Sequence, residues 1–144
     1  MDKRHLADGI LFTDFYQLTM AQLFYRNGLH QKTAQFDYFF RRYPDYGEHR
    51  AGYCICAGLE NLLEWMEKSR FGKKEIQCLR NQKGRAGERL FGDDFLHWLQ
   101  DQNGFDGINL AAIPEGRVVH PDVPLAIVKG PLALAQIRVA QHLR

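Results

Sequence analysis

An acid and a tyrosine stand two residues apart at the start of the predicted first helix, in the stretch TDFYQLTM. Asp14 lies where a carboxylate favours the positive end of the helix dipole, and the Thr13 hydroxyl can accept hydrogen bonds from free N–H groups of the first turn. Tyr16 recurs with Met20 and Leu23 at helical spacing, which is typical of packing aromatics. These local patterns predict helix capping for Asp14 and a core position for Tyr16.

Glu115 and His120 also have side chains suited to acid–base chemistry, and both lie beside turns in the stretch IPEGRVVHP. The PEG segment is predicted to be a hairpin turn. We therefore interpret both residues as parts of a small β structure and expect no catalytic role for His120.

The three cysteines favour reduced thiols over a metal site or a disulfide. Cys54 and Cys56 lie two apart in the predicted strand GYCICA, so their side chains point to the same side and are poorly placed to bond to each other. Cys78 lies alone in a helical pattern. Because no second Cys/His pair stands at ligand spacing, we expect buried, reduced cysteines and no metal site.

A mixture of helices and strands must position these residues. After the first helix, which is predicted to run to Asn27, the segments TAQFDYFF and AGYCICA predict two strands. Amphipathic patterns then predict helices in LENLLEWMEKSR, GKKEIQCLRNQ and DFLHWLQDQ, the last of them capped by Asp93 or Asp94. The segment KGRAGERLFG is a predicted surface loop.

The C-terminal part of the chain is predicted to contain more strands. GINLAAI, RVVH and PLAIVKG are short strand-like runs broken by turn residues, so residues 105–130 should form a small β-rich subregion. The stretch GPLALAQIRVAQHLR predicts a helix that begins at Pro131 and is cut at the chain end, Arg144. The expected fold class is α+β, in one domain spanning residues 1–144.

Length and charge exclude several classes of function. A chain of 144 residues with a formal charge of +2 fits one globular domain, and it carries no basic stripe with interleaved aromatics, so we expect no nucleic-acid partner. No apolar run is long enough to span a bilayer, and the N-terminal segment MDKRHLADG lacks a signal-peptide core. The sequence therefore favours a cytoplasmic protein without membrane association.

Four stretches, in the same order and at similar spacing, resemble the N-terminal region of nicotinate phosphoribosyltransferases, and together they cover nearly all of the chain. They are LFTDFYQLTMAQLFYRNGLHQKTAQFDYFFRRYP, CAGLENLLEWMEKSRF, DDFLHWLQ and AAIPEGRVVHPDVPLAIVKGPLALAQ. The resemblance implies an enzyme of NAD salvage that joins nicotinate to phosphoribosyl pyrophosphate, giving nicotinate mononucleotide and pyrophosphate. It also implies ATP hydrolysis, Mg²⁺ for the phosphates and a homodimer.

The resemblance assigns candidate roles to three residues. Tyr16 matches a family tyrosine that stacks on the pyridine ring, commonly in the active site of a neighbouring subunit. Asp14 matches the acid of the same motif, with helix capping as an equal explanation. Arg41, in YFFRRYP, matches an arginine near the phosphates of the phosphoribosyl donor, and Arg42 is the alternative because a slip of one residue would exchange their faces.

The family's phosphorylated histidine and its main phosphate-binding loop belong to a βα barrel that these 144 residues lack. We therefore expect no catalytic residue in this chain and no activity from the chain alone. Two alternatives stay open: a non-catalytic fragment that acts as an association module, and a relative that uses nicotinamide or quinolinate.

Overall fold

Helices and strands are mixed along the whole chain. The structure, a computed structural model, describes residues 9–11, 13–102, 104 and 106–142, and the side chains of residues 138–142 are outside that description. Its elements are α1 (Phe15–Arg26), β1 (Thr33–Tyr38), β2 (Cys54–Ile55), α2 (Leu59–Lys68), α3 (Lys73–Arg80), α4 (Asp93–Asp101), β3 (Asn109–Ala112), β4 (Val118–Val119), β5 (Ala126–Pro131) and α5 (Leu132–His142). The predicted α+β fold is confirmed.

Two small antiparallel sheets connect distant parts of the chain. In the larger sheet β5 is the central strand, between β1 and β3, and Phe36 of β1 lies opposite Val128. In the smaller sheet β2 pairs with β4. The strands predicted in residues 105–130 are present, although residue 105 itself lies outside the described residues. Because β4 and β5 pair with strands from the first half of the chain, the β-rich subregion completes sheets that begin elsewhere.

The helices α1, α3, α4 and α5 share one apolar core. Its buried members come mainly from α1, α3, α4 and α5 and from the segments beside them: Ile10, Leu18, Ala21, Phe71, Ile76, Leu79, Phe91, Phe95, Leu96, Leu99, Ala133 and Ile137. The amphipathic patterns predict α3 and α4 correctly, because their apolar stripes are the faces that enter this core. In α2 the sequence pattern predicts an apolar stripe of Leu59, Leu62, Leu63 and Met66, but Leu63 is 44% exposed and Trp65 is the buried residue.

The first and last helices pack antiparallel. Just after α1, the His30 carbonyl accepts a hydrogen bond from the backbone N–H of Ala133 at 3.2 Å, whereas the Gln136 side chain reaches Gln17 near the start of α1. The beginning of α1 therefore lies beside the second turn of α5, at Gln136. This arrangement positions the first turn of α1, which carries two of the three candidate site residues.

Helix ends differ from their predictions in three places. The N-cap of α1 is Asp14, whose side chain makes no capping hydrogen bond, and the Thr13 hydroxyl is buried without a hydrogen-bond partner among the described residues. The N-cap of α4 is Gly92, so Asp93 belongs to the first turn of the helix. Pro131 ends β5 opposite Thr33, and α5 begins one residue later. The predicted end of α5 at Arg144 lies outside the described residues.

The cysteines are free thiols, as predicted, but they are less buried than expected. Cys54 and Cys56 are half-buried, and Cys78 is exposed on α3. The helical pattern around Cys78 did not reveal its exposure, because α3 buries only Ile76 and Leu79. Along the described part of the chain, every helix falls short of the length and apolar character that crossing a membrane requires.

Candidate functional site

Tyr16 lies on a solvent-facing stripe of α1. Its side chain is 54% exposed, and Leu23, seven residues later on the same helical face, is 57% exposed. The local prediction of a core position for Tyr16 is therefore wrong. Its physical reason is that α1 packs against α4 and α5 on the opposite side, where Leu18 and Ala21 are buried.

Two glutamines, one from α1 and one from α5, form a chain of hydrogen bonds that ends at the Tyr16 side chain. The Nε2 of Gln17 donates a hydrogen bond to the Tyr16 hydroxyl at 2.8 Å, and the Gln136 side-chain amide on α5 donates to Oε1 of Gln17. Gln17 is only 4% exposed. Both ends of this buried amide are satisfied, so the exposed tyrosine is tied to the interface between α1 and α5.

Asp14 stands at the N-terminal boundary of α1 and is partly buried. Its backbone carbonyl accepts a hydrogen bond from the Gln17 N–H at 2.9 Å, the first bond of the helix. The carboxylate does not cap the first turn by hydrogen bonding, contrary to the capping interpretation, although its charge still lies at the favourable end of the helix dipole. Asp14 and Tyr16 thus lie at the same end of α1, although side chains two residues apart on a helix point to different sides.

Arg41 and Arg42 lie in a bend beyond the end of β1. The predicted strand extends to Phe40, but β1 ends at Tyr38, so the two arginines do not alternate between sheet faces. Both line one cleft of about 510 Å³, which is also lined by Tyr43, Asp45, Arg50 and Pro121. The cleft therefore collects three guanidinium groups and one carboxylate, a surplus of positive charge suited to phosphate oxygens.

Contacts from distant segments shape this cleft. Arg50 Nε lies 3.7 Å from Oδ2 of Asp45, and the other Asp45 oxygen accepts a hydrogen bond from the Gly47 N–H at 3.0 Å. The Tyr43 hydroxyl lies 2.5 Å from Nδ1 of His120, and the two rings meet edge to face. Asp45 is thus partly engaged by its own loop, and His120 fixes one wall of the cleft.

His120 and Glu115 both make contacts that connect distant parts of the fold. Glu115 Oε1 accepts a hydrogen bond from the backbone N–H of Glu60 at 3.3 Å, in the first turn of α2. The N-cap of α2 is Gly58, which has φ of 96° and no side chain to offer. Glu115 therefore supplies from a distant turn the acceptor that the helix start lacks.

The PEG segment forms a turn, but the prediction that it is a hairpin is wrong. The strands on its two sides, β3 and β4, belong to different sheets and do not pair with each other. Instead the Gly116 N–H donates to the Cys56 carbonyl, and the Cys56 N–H donates to the Arg117 carbonyl, both at 2.8 Å. The turn thus continues the pairing of β2 with β4 and so brings Glu115 to α2.

A small apolar cavity of about 210 Å³ lies where the two sheets meet α2. Its wall includes Tyr38, Cys56, Leu62 and Ala126. Burial raises the pKa of the Tyr38 phenol above its ordinary value, and negative charge on the nearby Cys56 thiolate raises it further. Cys56 Sγ also lies 3.5 Å from the carbonyl oxygen of Ile113. This cavity is distinct from the arginine-lined cleft.

The candidate site residues form two groups. Asp14 and Tyr16 lie at the start of α1, against α5, whereas Arg41 follows the end of β1 that pairs with Ala126. The α5 helix begins beyond the other end of that sheet, after Pro131. Within the described residues, no group of three or more His, Cys, Asp or Glu side chains is arranged to hold a metal ion.

Sequence reasoning missed Gln17, Gln136, Tyr43 and Arg50. A glutamine beside the motif tyrosine carries no signal by itself, since glutamine is an ordinary helix surface residue. Arg50 and Tyr43 stand in a polar loop whose course no periodic pattern fixes. Only the folded chain shows that these residues meet the predicted ones.

Comparison with known proteins identifies the family. Residues 11–140 match the model of the nicotinate phosphoribosyltransferase (NAPRTase) N-terminal domain. The chain belongs to the nicotinate phosphoribosyltransferase family. It is 36% identical over 127 residues to a nicotinate phosphoribosyltransferase from Caenorhabditis elegans, and 35% identical over 127 residues to one from Bacillus subtilis. These alignments cover 88% of this chain but only 21% and 24% of the relatives.

The fold agrees with that of a solved family member. The crystal structure of human nicotinic acid phosphoribosyltransferase superposes with a TM-score of 0.73 at 31% sequence identity, over 88% of this chain and 24% of the human chain. The chain thus spans about a fifth to a quarter of the length of the relatives that it matches. It corresponds to the N-terminal domain of the family.

Proposed function

We propose that this chain is the N-terminal domain of an enzyme that transfers the phosphoribosyl group to nicotinate. In this reaction the ring nitrogen of nicotinate forms a bond to the anomeric ribose carbon of phosphoribosyl pyrophosphate, the bond from that carbon to pyrophosphate breaks, and nicotinate mononucleotide results. The reaction serves NAD salvage, in the cytoplasm. The observation that carries the proposal is Tyr16, an exposed aromatic whose hydroxyl is nevertheless held in place.

Tyr16 supplies a flat apolar face for the pyridine ring. Stacking of one aromatic ring on another contributes about 0.5 to 1.5 kcal/mol beyond burial and fixes the plane of the ring. In a homodimer the exposed stripe of α1, with Tyr16 and Leu23, meets the neighbouring subunit, so that Tyr16 completes the partner's active site. Asp14, at the N-cap of α1, orients substrate or neighbouring polar groups.

Arg41 binds phosphate oxygens of the phosphoribosyl donor, with Arg42 and Arg50 beside it. Three arginines around a cleft of about 510 Å³ support this role, because a guanidinium forms two parallel hydrogen bonds to a phosphate. Asp45, whose carboxylate lies 3.7 Å from Arg50 Nε, reduces the positive charge of the cleft, while the exposed ion pair itself contributes little stability. In this proposal Asp14 and Tyr16 bind the pyridine ring of nicotinate, and the cleft arginines bind the phosphates of the donor.

Mg²⁺ and ATP belong to the complete enzyme in this proposal. Mg²⁺ is held mainly by substrate phosphates in many phosphate-transfer sites, with few protein ligands. The residues described here form no carboxylate or histidine cluster for it. No step is therefore assigned to the ion in this domain, and the catalytic groups are expected in the rest of the enzyme.

A role in association is the second candidate, and a specific observation favours it. The edge formed by β2 and β4 exposes large apolar side chains: Tyr53 at 60%, Ile55 at 51% and Val118 at 55%. Contiguous apolar surface of this kind is typical of contacts between domains or proteins. A relative that uses nicotinamide or quinolinate is the remaining alternative, since stacking alone does not distinguish pyridine substrates.

A phosphoribosyl transfer assay tests the proposal. The complete enzyme that carries this domain is supplied with nicotinate, phosphoribosyl pyrophosphate, Mg²⁺ and ATP, and nicotinate mononucleotide is followed by chromatography; nicotinamide and quinolinate are tested in parallel. We expect product with nicotinate, and an increase in KM for nicotinate of roughly three- to tenfold in Tyr16→Ala, from the lost stacking. Lys74→Ala, at an exposed position of α3 away from this face, is the control.

Two results would contradict the proposal. Absence of nicotinate mononucleotide from the complete enzyme would exclude the reaction. Equal KM values for nicotinate in wild type and Tyr16→Ala, together with lost thermal stability in Tyr16→Ala, would show that the tyrosine serves the fold.

A further inference from the structure

Tyr16 sits on an open helix face and yet does not depend on the solvent for a hydrogen-bond partner. Side chains at adjacent helix positions project in different directions, so a contact between residues 16 and 17 is not what helical geometry provides by default. Here the Gln17 Nε2 reaches the Tyr16 hydroxyl at 2.8 Å. Something must therefore hold the Gln17 amide in this direction.

Gln136 supplies that restraint from α5. Its amide N–H donates to Oε1 of Gln17, which leaves the Gln17 NH₂ group to point at Tyr16. Reversing the Gln17 amide would set two NH₂ groups against each other, in a place where Gln17 is only 4% exposed. With Gln136 as the donor, the bonds therefore run in one direction, from α5 through Gln17 to Tyr16.

A second buried glutamine on the same helix shows what a purely structural contact looks like. Gln22 is 6% exposed, donates to the Leu90 carbonyl at 2.9 Å and accepts from the Gly92 N–H at 2.7 Å. Both of its partners are backbone groups, so Gln22 serves to fasten the segment before α4. Gln17 instead forms both of its side-chain hydrogen bonds with side chains, those of Gln136 and of the exposed Tyr16.

We propose that Gln17 and Gln136 are positioning residues that hold the Tyr16 ring in the orientation needed to stack on nicotinate. The inference rests on the proposed function of Tyr16. Neither glutamine touches the substrate in this role. By fixing the hydroxyl, they restrict the exposed Tyr16 side chain to one rotamer before nicotinate binds. Binding then does not have to include the entropy cost of ordering that side chain.

Steady-state kinetics of the complete enzyme test this inference. We expect Gln136→Leu to raise KM for nicotinate roughly three- to tenfold, the size of one lost hydrogen bond, while kcat and KM for phosphoribosyl pyrophosphate stay within about twofold. Gln136→Glu should restore the wild-type KM. The carboxylate accepts from a reversed Gln17 amide, whose oxygen then accepts from the Tyr16 hydroxyl, so the connection survives with opposite polarity.

Tyr16→Phe removes the same contact without altering the interior. It should raise KM for nicotinate as Gln136→Leu does, and adding Gln136→Leu to Tyr16→Phe should produce no further increase. Gln22→Leu is the control, because it removes from α1 an amide as buried as that of Gln17 but without a contact to Tyr16. It should lower thermal stability and leave KM for nicotinate unchanged.

The outcomes separate this inference from the proposed function. An enzyme that makes no nicotinate mononucleotide fails the proposed function. An active enzyme in which Tyr16→Phe or a folded Gln136→Leu keeps the wild-type KM for nicotinate overturns the positioning role alone. The same holds if Gln22→Leu changes that KM as much as Gln136→Leu does, since the effect would then follow stability.

Discussion

The Tyr43 hydroxyl lies 2.5 Å from Nδ1 of His120, although 77 residues separate them in the chain. Tyr43 also packs against Phe40, with ring centroids 6.1 Å apart. One wall of the arginine-lined cleft is therefore fastened to the turn after β4. The cleft is shaped by the way that β4 and β5 return to the first half of the chain.

Replacement of His120 by alanine should loosen this wall. Without its partner, Tyr43 gains freedom beside Arg42, and we expect KM for phosphoribosyl pyrophosphate in the complete enzyme to rise roughly threefold, the effect of one modest hydrogen bond. Initial rates at varied donor concentration measure the change. His97→Ala, at an exposed position of α4, should have the wild-type value. An unchanged KM in His120→Ala would show that the contact does not organise the cleft.

Arg41→Ala should weaken the binding of phosphoribosyl pyrophosphate more strongly than His120→Ala does. Removing a guanidinium that binds phosphate should raise KM for phosphoribosyl pyrophosphate roughly tenfold, and Arg41→Lys should fall between, because lysine keeps the charge but not the fork. The difference from wild type should shrink as salt is added. Arg89→Ala is the control, since Arg89 pairs with Asp93 at 3.1 Å on another surface. A wild-type KM in Arg41→Ala with a raised one in Arg42→Ala would transfer the role to Arg42.

Glu115 provides a test of the fold that does not depend on activity. Loss of its charge in Glu115→Gln should lower the free energy of unfolding by about 0.3 to 1 kcal/mol, because a carboxylate is favourable at the start of α2. Urea denaturation of this chain measures the change. Glu67, near the end of the same helix, is the matched control: Glu67→Gln should leave stability equal or slightly higher. Equal stability losses in both variants would exclude a favourable effect of the Glu115 charge on α2, since glutamine keeps the hydrogen-bond acceptor.

Periodicity sufficed for the helices but not for the contacts between them. The stripe in α4 predicts the buried Phe95, Leu96 and Leu99, since a helix with one apolar face has one way to be buried. α1 has several partly apolar faces, so its sequence does not reveal that α4 and α5 leave Tyr16 uncovered. Only the resemblance to the family suggested a role for Tyr16 outside the core.

Long-range pairs were beyond what local patterns can predict. The contact of Glu115 with Glu60 spans 55 residues and depends on how β2 pairs with β4. A two-residue strand such as β2 carries almost no alternation from which its partner could be inferred. In the same way, β1 ends at Tyr38, earlier than predicted. Arg41 and Arg42 therefore do not alternate between the two faces of the sheet, and both line the same cleft.

We expect the folded chain to lose stability in alkaline solution because of Tyr38. Burial, and then the Cys56 thiolate, raise the pKa of the Tyr38 phenol above its unfolded value of about 10. The folded state therefore keeps the proton after the unfolded state has released it. The stabilisation is complete below the unfolded pKa and is lost as pH rises through the folded pKa, because ionisation then has to occur in the folded chain.

Tyr38→Phe should accordingly lose less stability than wild type as pH rises above about 10, with no difference in slope near neutral pH. Urea denaturation at a series of pH values compares the two chains, and Cys56→Ser should reduce the alkaline loss in part by removing the neighbouring charge. Tyr53→Phe is the control, because Tyr53 is 60% exposed and should follow wild type. Parallel curves for wild type and Tyr38→Phe would show that the phenol titrates alike in both states. The cavity between the two sheets and α2 would then be open to water at Tyr38, and its walls would not shield that side chain.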